Sequence, residues 1–354
     1  MPAMKRLLSL VMVTVLASAC GSNDDVTSDA GSTSDSSVKD SAGNDAASND
    51  GASNDGASND GGGGDAATGG LKNVFIILME NHSWSSIKGS KSAPYLNGLL
   101  AQGGSAENYK TPPGNHPSEP NYIWLEAGDA LGIKNDNDPS SNHQSTTDHL
   151  SAQLKAAGIS WKAYAEDIDG KTCPLKSAGL YGAKHTPQLF FDDMTGTNNA
   201  NDAYCIAHVR PYGELATDLA GNTAARYSFI TPNLCNDMHG ELIGSSCPTL
   251  TTDMVKKGDD WLKANVPTIL GSNAYKNGGV LFIVWDEGDE ILGNASDGPI
   301  GMIVLSPLAK KGYTNQTAYT HSSMLRTIEE IFGVPLLRDA KNATDLSAFF
   351  TSFP

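Results

Sequence analysis

Cysteine is scarce in this chain, with five among 354 residues, and no two of them stand at CxxC spacing. A zinc centre built on cysteines is therefore excluded. Basic residues are also few: 24 Lys and Arg against 40 Asp and Glu give a net charge of -16 with no basic stripe. That balance argues against nucleic acid as a partner. No apolar run is long enough for a transmembrane helix, which needs about 20 residues; the N-terminal segment Leu7 to Leu16 falls well short. Aromatic residues are missing altogether from residues 21–70, and a stretch without them cannot bury enough surface to fold.

What is present begins with an export signal over residues 1–20. Lys5 and Arg6 form its charged start, Leu7 to Leu16 its apolar centre, and Ala17-Ser18-Ala19-Cys20 a small-residue cleavage site. Cys20 directly after that site resembles a bacterial lipoprotein box, with Ala17 standing where Leu is commoner. A lipid anchor on Cys20 is the expected membrane contact, and a free secreted form is the alternative. Residues 21–70 carry ten Asp against Lys39, nine of the sixteen net negative charges, with the unit ASNDG repeated between Ala52 and Gly61. Self-repulsion and chain entropy make this a disordered, extended stalk. Residues 71–354 contain no linker-like break and alternate apolar runs with helical patterns, so one large α/β domain is expected there.

Val74 to Met79 is an unbroken apolar run that ends in Glu80-Asn81-His82, and Val280 to Trp285 is a second that ends in Asp286-Glu287-Gly288-Asp289. Both read as buried parallel strands. Ligands of parallel sheets lie beyond the carboxyl ends of the strands. Two such ends would bring Glu80, Asn81, Asp286 and Glu287 together, with Asp289 able to replace Glu287. Crowded carboxylates repel, so a cluster of this kind implies one divalent cation. The hard oxygen donors suit Mg²⁺, Ca²⁺ or Mn²⁺ and leave Zn²⁺ open.

Between these runs lies TPPGNHPSEPNY, Thr111 to Tyr122, whose four prolines predict a rigid loop rather than a helix. Ser118 sits in it, and a fixed backbone is how a nucleophile is kept in attack geometry. Further strands are expected over Ile159–Ala165, Tyr227–Ile230 and Ile300–Leu305. Helices are expected over Ser92–Ala101, Thr147–Ala157, a segment capped by Asp259 or Asp260, Pro267–Tyr275 and Ser322–Phe332. Phe349 to Pro354 reads as surface packing. With Cys20 set aside, four cysteines remain, and sequence proximity pairs Cys173 with Cys205 and Cys235 with Cys247. His143, His149 and His208 are assigned structural roles.

MENHSW, HPSEPNYI, PNLCNDMH, VWDEGDE and HSSMLRTIEEIFG, in that order, resemble the phosphoesterase family of secreted acid phosphatases and bacterial phospholipases C. KAYAED, YGAKHTPQLFF and PNLCNDMHG are closer to the acid phosphatase branch. The resemblance covers residues 71–354. It implies an alkaline-phosphatase-like three-layer α/β/α sandwich with a mostly parallel central sheet. It further implies hydrolysis of phosphate monoesters through Ser118 as nucleophile. Glu80, Asn81, Ser118, Asp286 and Glu287 would surround one divalent metal ion, and His185, His239 and His321 the phosphoryl oxygens. Phosphoryl transfer asks mainly for positioning and positive charge, so these imidazoles are expected to be protonated and the pH optimum acidic. The role of His82, where the family commonly has Arg, is open. The protein is expected to act as a monomer at the cell envelope or outside the cell. The rival readings are a phospholipase C and a non-enzymatic Ca²⁺-binding surface lipoprotein.

Overall fold

In the computed structural model, residues 70–240, 247–289 and 295–354 are described. The export signal, Cys20 and all of the stalk but Gly70 lie outside them. Ten strands follow in chain order: β1 (Asn73–Met79), β2 (Gly104–Ala106), β3 (Tyr109–Lys110), β4 (Trp161–Ala165), β5 (Val209–Pro211), β6 (Tyr227–Thr231), β7 (Gly279–Trp285), β8 (Met302–Leu305), β9 (Tyr313–Asn315) and β10 (Tyr319–Thr320). Eight of them form one sheet in the order β5-β4-β6-β1-β7-β8-β2-β9, while β3 and β10 pair separately. From β5 to β7 all neighbours are parallel, and β8 runs antiparallel to β7 and β2. The central strands β1, β6 and β7 are buried along nearly their whole length, as their unalternated apolar sequences require when helices cover both faces.

Five helices matter for the site: α1 (Pro94–Leu99), α2 (Ser118–Ala127), α3 (Leu150–Ala156), α4 (Met254–Gly271) and α5 (His321–Phe332). Helices α2, α3 and α5 pack on one another, and α1 packs on α4. Among the described residues no helix is long and apolar enough to cross a membrane. The architecture is the expected α/β sandwich.

Several boundaries differ from the sequence reading. The proline-rich stretch does not stay a loop: α2 starts at Ser118 and takes Pro120 into its first turn, where the missing N–H would have no partner in any case. Pro267 does not divide two helices but lies inside α4. It is exposed, as is Lys263 four residues before it, so the missing backbone bond falls on the helix's solvent side. Asp253 caps α4 by accepting from Lys256 N at 3.0 Å. Asp259, expected as the cap, is buried mid-helix and instead accepts from Tyr95 N and Leu96 N of α1 at 3.0 and 2.8 Å. Helix α1 is correspondingly shorter than expected, and Ser92, at its expected start, lies before it and donates to Asp253 Oδ2 at 2.6 Å. Phe349 and Phe350 are buried in the core rather than lying on the surface. The disulfides join Cys173 to Cys205 and Cys235 to Cys247.

Candidate active site

Strand pairing alone brings the acids together. Met79 is in register with Trp285 on the adjacent parallel strand, so the next residues, Glu80 and Asp286, emerge side by side. Asp286 N donates to the Met79 carbonyl at 3.0 Å, and Asn81 N donates to Asp286 Oδ1 at 3.0 Å. On the other flank of β1, the chain leaving β6 turns back so that Glu80 N donates to the Asp237 carbonyl at 2.8 Å. Three neighbouring strand ends therefore each contribute one acid, Asp237, Glu80 and Asp286, and all three are fully buried. Asn81 and Met238 beside them both adopt positive φ, 43° and 84°, a strained backbone that recurs at functional sites.

Ser118, the first residue of α2, meets this cluster. Its Oγ donates to Glu80 Oε2 at 3.0 Å, lies 3.5 Å from Asn81 Oδ1, and also faces the Asp286 carboxylate. The positive end of the helix dipole favours negative charge on that oxygen. The Tyr122 hydroxyl, one turn along α2, donates to Glu80 Oε1.

The remaining predicted residues are placed differently from one another. His185 is buried with Nε2 3.3 Å from Glu80 Oε1 and Nδ1 3.6 Å from Asp237 Oδ2, its ring stacked on Tyr122 with centroids 4.8 Å apart. His239 is partly buried; its backbone N donates to Asp237 Oδ1 at 2.8 Å and its Nδ1 to the Gly240 carbonyl at 2.5 Å. His321 does not reach the cluster's interior. Its Nε2 donates to the Asp286 carbonyl at 2.7 Å and its Nδ1 pairs with the Tyr109 hydroxyl at 3.1 Å, so one ring nitrogen holds the Asp286 backbone and the other fixes the ring. Glu287 likewise has both oxygens met by donors: Asn81 Nδ2 at 3.2 Å on Oε1, and His116 Nδ1 at 2.5 Å with Asn121 Nδ2 at 3.4 Å on Oε2. Asp289, offered as its substitute, accepts from Ser86 Oγ. His82 folds back on the Glu80 carbonyl. His143, His149 and His208 lie outside this group, each held by its own partners.

Electrostatics correct one expectation. Burial, and then nearby positive charge, hold the His185 imidazole well below its usual pKa, and burial pushes His321 down to about 4. Both shifts work against the positive charge expected of these rings. The cation near the acids is Lys184. Burial works against its charge, but Glu80 and Asp136 outweigh that and raise it to about 12; Nζ lies 2.6 Å from Asp136 Oδ2. Glu80, Asp237 and Asp286 are all held well above the ordinary carboxyl range, first by burial and then by one another.

Sequence reading missed Asp237, Lys184, Tyr122 and His116. Asp237 and Lys184 each stand close in the chain to a histidine predicted for the site, His239 and His185. An acid some residues after a third buried strand was the available signal for Asp237.

Among the described residues no three His, Cys, Asp or Glu side chains converge as a ready-made metal cage. The donors around Ser118 are mixed: two carboxylates, an amide oxygen and the hydroxyl itself. They nevertheless fit a divalent ion, because one of them, Asp286 Oδ2, is buried without a hydrogen-bond partner, as is Asp237 Oδ2 in the same acid cluster. Orphaned buried carboxylate oxygens are costly unless a cation meets them.

The comparisons with known proteins bear on this geometry. Residues 94–335 match the model of the Phosphoesterase family. The chain is 30% identical over 276 residues to a phosphatidylinositol-3-phosphatase of Mycobacterium tuberculosis, covering 78% of this chain and 81% of that protein. It is 27% identical over 230 residues to a phosphate-repressible acid phosphatase of Penicillium chrysogenum, covering 63% of this chain but only 51% of that one. Among solved structures, a protein of the alkaline phosphatase superfamily from Vibrio parahaemolyticus superposes with a TM-score of 0.50 at 12% identity, over 77% of this chain and 70% of that one.

Proposed function

Because the chain belongs to the Phosphoesterase family, we propose that it hydrolyses phosphate monoesters with Ser118 as nucleophile, in a reaction that depends on a divalent metal ion. The observation that carries this reading is the Ser118 hydroxyl, 3.0 Å from Glu80 at the head of α2, beside buried carboxylates with unpartnered oxygens. Glu80, Asn81, Asp286 and Ser118 would hold the ion. When bound, it would offset the carboxylate charge and lower the pKa of the serine hydroxyl.

The chain's own groups account for the rest. As the Oγ–P bond forms and the bond from phosphorus to the leaving oxygen breaks, the serine proton passes along its hydrogen bond toward Glu80. His239, the partly buried imidazole of the group, protonates the leaving oxygen. Water then gives a proton to His239 as it adds to phosphorus, the Oγ–P bond breaks, inorganic phosphate leaves and Oγ takes its proton back from Glu80. Lys184 and the dipole of α2 stabilise the charge that develops on the phosphoryl oxygens. His185, stacked on Tyr122, packs beside Glu80 and keeps water from it. The two disulfides accord with an oxidising compartment, and we assign the protein to the outside of the cell, held there by the lipid on Cys20 and acting as a monomer.

The test is an assay of purified protein against p-nitrophenyl phosphate and p-nitrophenylphosphorylcholine, with and without chelator, and mass spectrometry of acid-quenched enzyme. Faster turnover of the monoester, loss on chelation and a phosphate mass on the peptide containing Ser118 are expected. Preferred turnover of the diester would transfer the protein to the phospholipase C reading, and metal binding without hydrolysis would make it a surface binding protein.

A further inference from the structure

One side-chain amide sits among more oxygens than it can serve. Asn142 Nδ2 lies 2.8 Å from Glu119 Oε1, 2.9 Å from Asn135 Oδ1, 3.3 Å from the Asn135 carbonyl and 3.4 Å from the Asn137 carbonyl. An amide nitrogen carries two protons, so four acceptors share two. Carboxylate, amide and backbone-carbonyl oxygens converging on one point are the donor set of Ca²⁺, which takes about 6–8 oxygen ligands at about 2.3–2.6 Å.

A second observation is independent of those contacts. Glu119 lies in the first turn of α2 and is fully buried, and the other oxygen of its carboxylate, Oε2, has no hydrogen-bond partner. A buried carboxylate left half satisfied is costly unless a cation meets it. Asn142 is only partly buried, and Asn135 and Asn137 are exposed. The cradle therefore has a dry floor at Glu119 and a wet rim through which an ion can enter. Two more acids, Asp136 and Asp138, act on Glu119, against the single cation Lys184. Both have donors of their own: Asp136 accepts from Lys184 Nζ at 2.6 Å and Glu119 N at 3.0 Å, and Asp138 from Ser177 N at 3.0 Å and Ser177 Oγ at 2.7 Å. They supply negative field and leave the cradle to the other oxygens.

We propose that Glu119, Asn135, Asn137 and Asn142 form a Ca²⁺ site that shares no ligand with the acid cluster at Ser118 and that, when filled, pins the segment 135–142 to the start of α2. To admit the ion the Asn142 amide turns over, and Oδ1 faces the cradle in place of Nδ2; the two ends are nearly alike in shape. The ligands are then the Glu119 carboxylate, Asn135 through its side chain and its carbonyl, the Asn137 carbonyl and Asn142 Oδ1, with water completing the shell. A single carboxylate among them places the site with the weak extracellular class, Kd about 10⁻⁴–10⁻³ M. The inference does not depend on which group attacks phosphorus.

The experiment uses the chelator-stripped full chain as wild type, Glu119→Gln, Asn142→Ala and Asn142→Asp. Calcium bound per chain is counted by equilibrium dialysis against millimolar Ca²⁺. The acids of the stalk and of the Ser118 cluster are common to all four, so the differences report on this cradle. Glu119→Gln keeps the shape and removes the charge; it is expected to bind one ion fewer than wild type. Asn142→Ala should need several-fold more Ca²⁺ for the same occupancy. Both effects should persist in an Asp286→Asn background. Equal binding by wild type and Glu119→Gln would overturn the site, and so would a loss seen only while Asp286 is intact, which would assign the missing ion to the acid cluster. Melting temperatures give the second readout. Asn142→Asp puts a carboxylate among four oxygens, so it should melt below wild type in chelator and gain several degrees more than wild type when Ca²⁺ is added. A variant that stays equally destabilised in Ca²⁺ would show that these oxygens only accept the protons of the amide.

Discussion

Removing one oxygen atom separates catalysis from stability at this site. Ser118→Ala deletes a hydroxyl that donates to Glu80 Oε2 at 3.0 Å and leaves Glu80 its second donor, the Tyr122 hydroxyl. The residue opens α2 and takes no part as a side-chain cap, so the backbone has no reason to shift. A hydrogen bond to a buried carboxylate is worth about 1–3 kcal/mol. A domain stable by about 5–15 kcal/mol tolerates that and remains overwhelmingly folded. If Ser118 is the nucleophile, kcat falls by a factor on the order of 10³–10⁶, as for other covalent catalysts stripped of their attacking atom. Circular dichroism melts of wild type and variant, read beside initial rates on p-nitrophenyl phosphate, check both halves. A melting temperature lowered by a few degrees with turnover at background is the expected pair. Turnover above a tenth of wild type would refute the nucleophile, and a collapsed melt would refute the claim that the serine is structurally dispensable.

Three further outcomes follow from the packing. Glu329 is fully buried with Oε1 accepting from Leu337 N and Oε2 without a partner, and burial raises its pKa from 4.5 to about 8. Its folded form holds a proton that the unfolded chain loses near pH 4.5, so its contribution is complete below that value and is lost as pH rises through about 8. Glu329→Gln should therefore melt within experimental error of wild type at pH 4.5 and be more stable by about 1 kcal/mol or more at pH 8.5. Replacing either cysteine pair by serine should cost about 3–4 kcal/mol from the loop lengths, measured by urea unfolding. The Cys235–Cys247 pair should also depress kcat, because its loop carries Asp237 and His239. Gly258 faces the turn from inside α4, where a Cβ would lie 2.4 Å from Met238 Cγ and 2.9 Å from Met79 Cε. Gly258→Ala should lower kcat by pressing on the strained Met238 between Asp237 and His239, despite the helix propensity gained; an unchanged kcat would show that the methionines move aside freely.

How much of this was legible in the sequence varies with the range of the interaction. Strands β1 and β7 were legible because unbroken runs such as VFIILM and VLFIVW have one stable home, a parallel strand covered on both faces, and their polar ends then mark the reactive edge. The cysteine pairing was legible because the partners lie near one another in the chain. Local rules failed where a distant segment provided the partner. Asp259 looked like a cap for its own helix, yet it caps α1, 163 residues away. Pro267 looked like a break but lies inside α4, on its exposed side.

The sequence by itself determined which residue types would meet: acids, an amide, a serine and histidines, each at the end of a buried strand or in a rigid turn. Only the tertiary structure decided what each one does there. Register between β1 and β7 set Glu80 beside Asp286, the return of the chain after β6 brought in Asp237, and burial works against the protonation expected of His185 and His321. The physical reason is that strand character and turn chemistry are properties of neighbours in the chain. Charge state and orientation depend on the dielectric and the partners that packing brings from elsewhere.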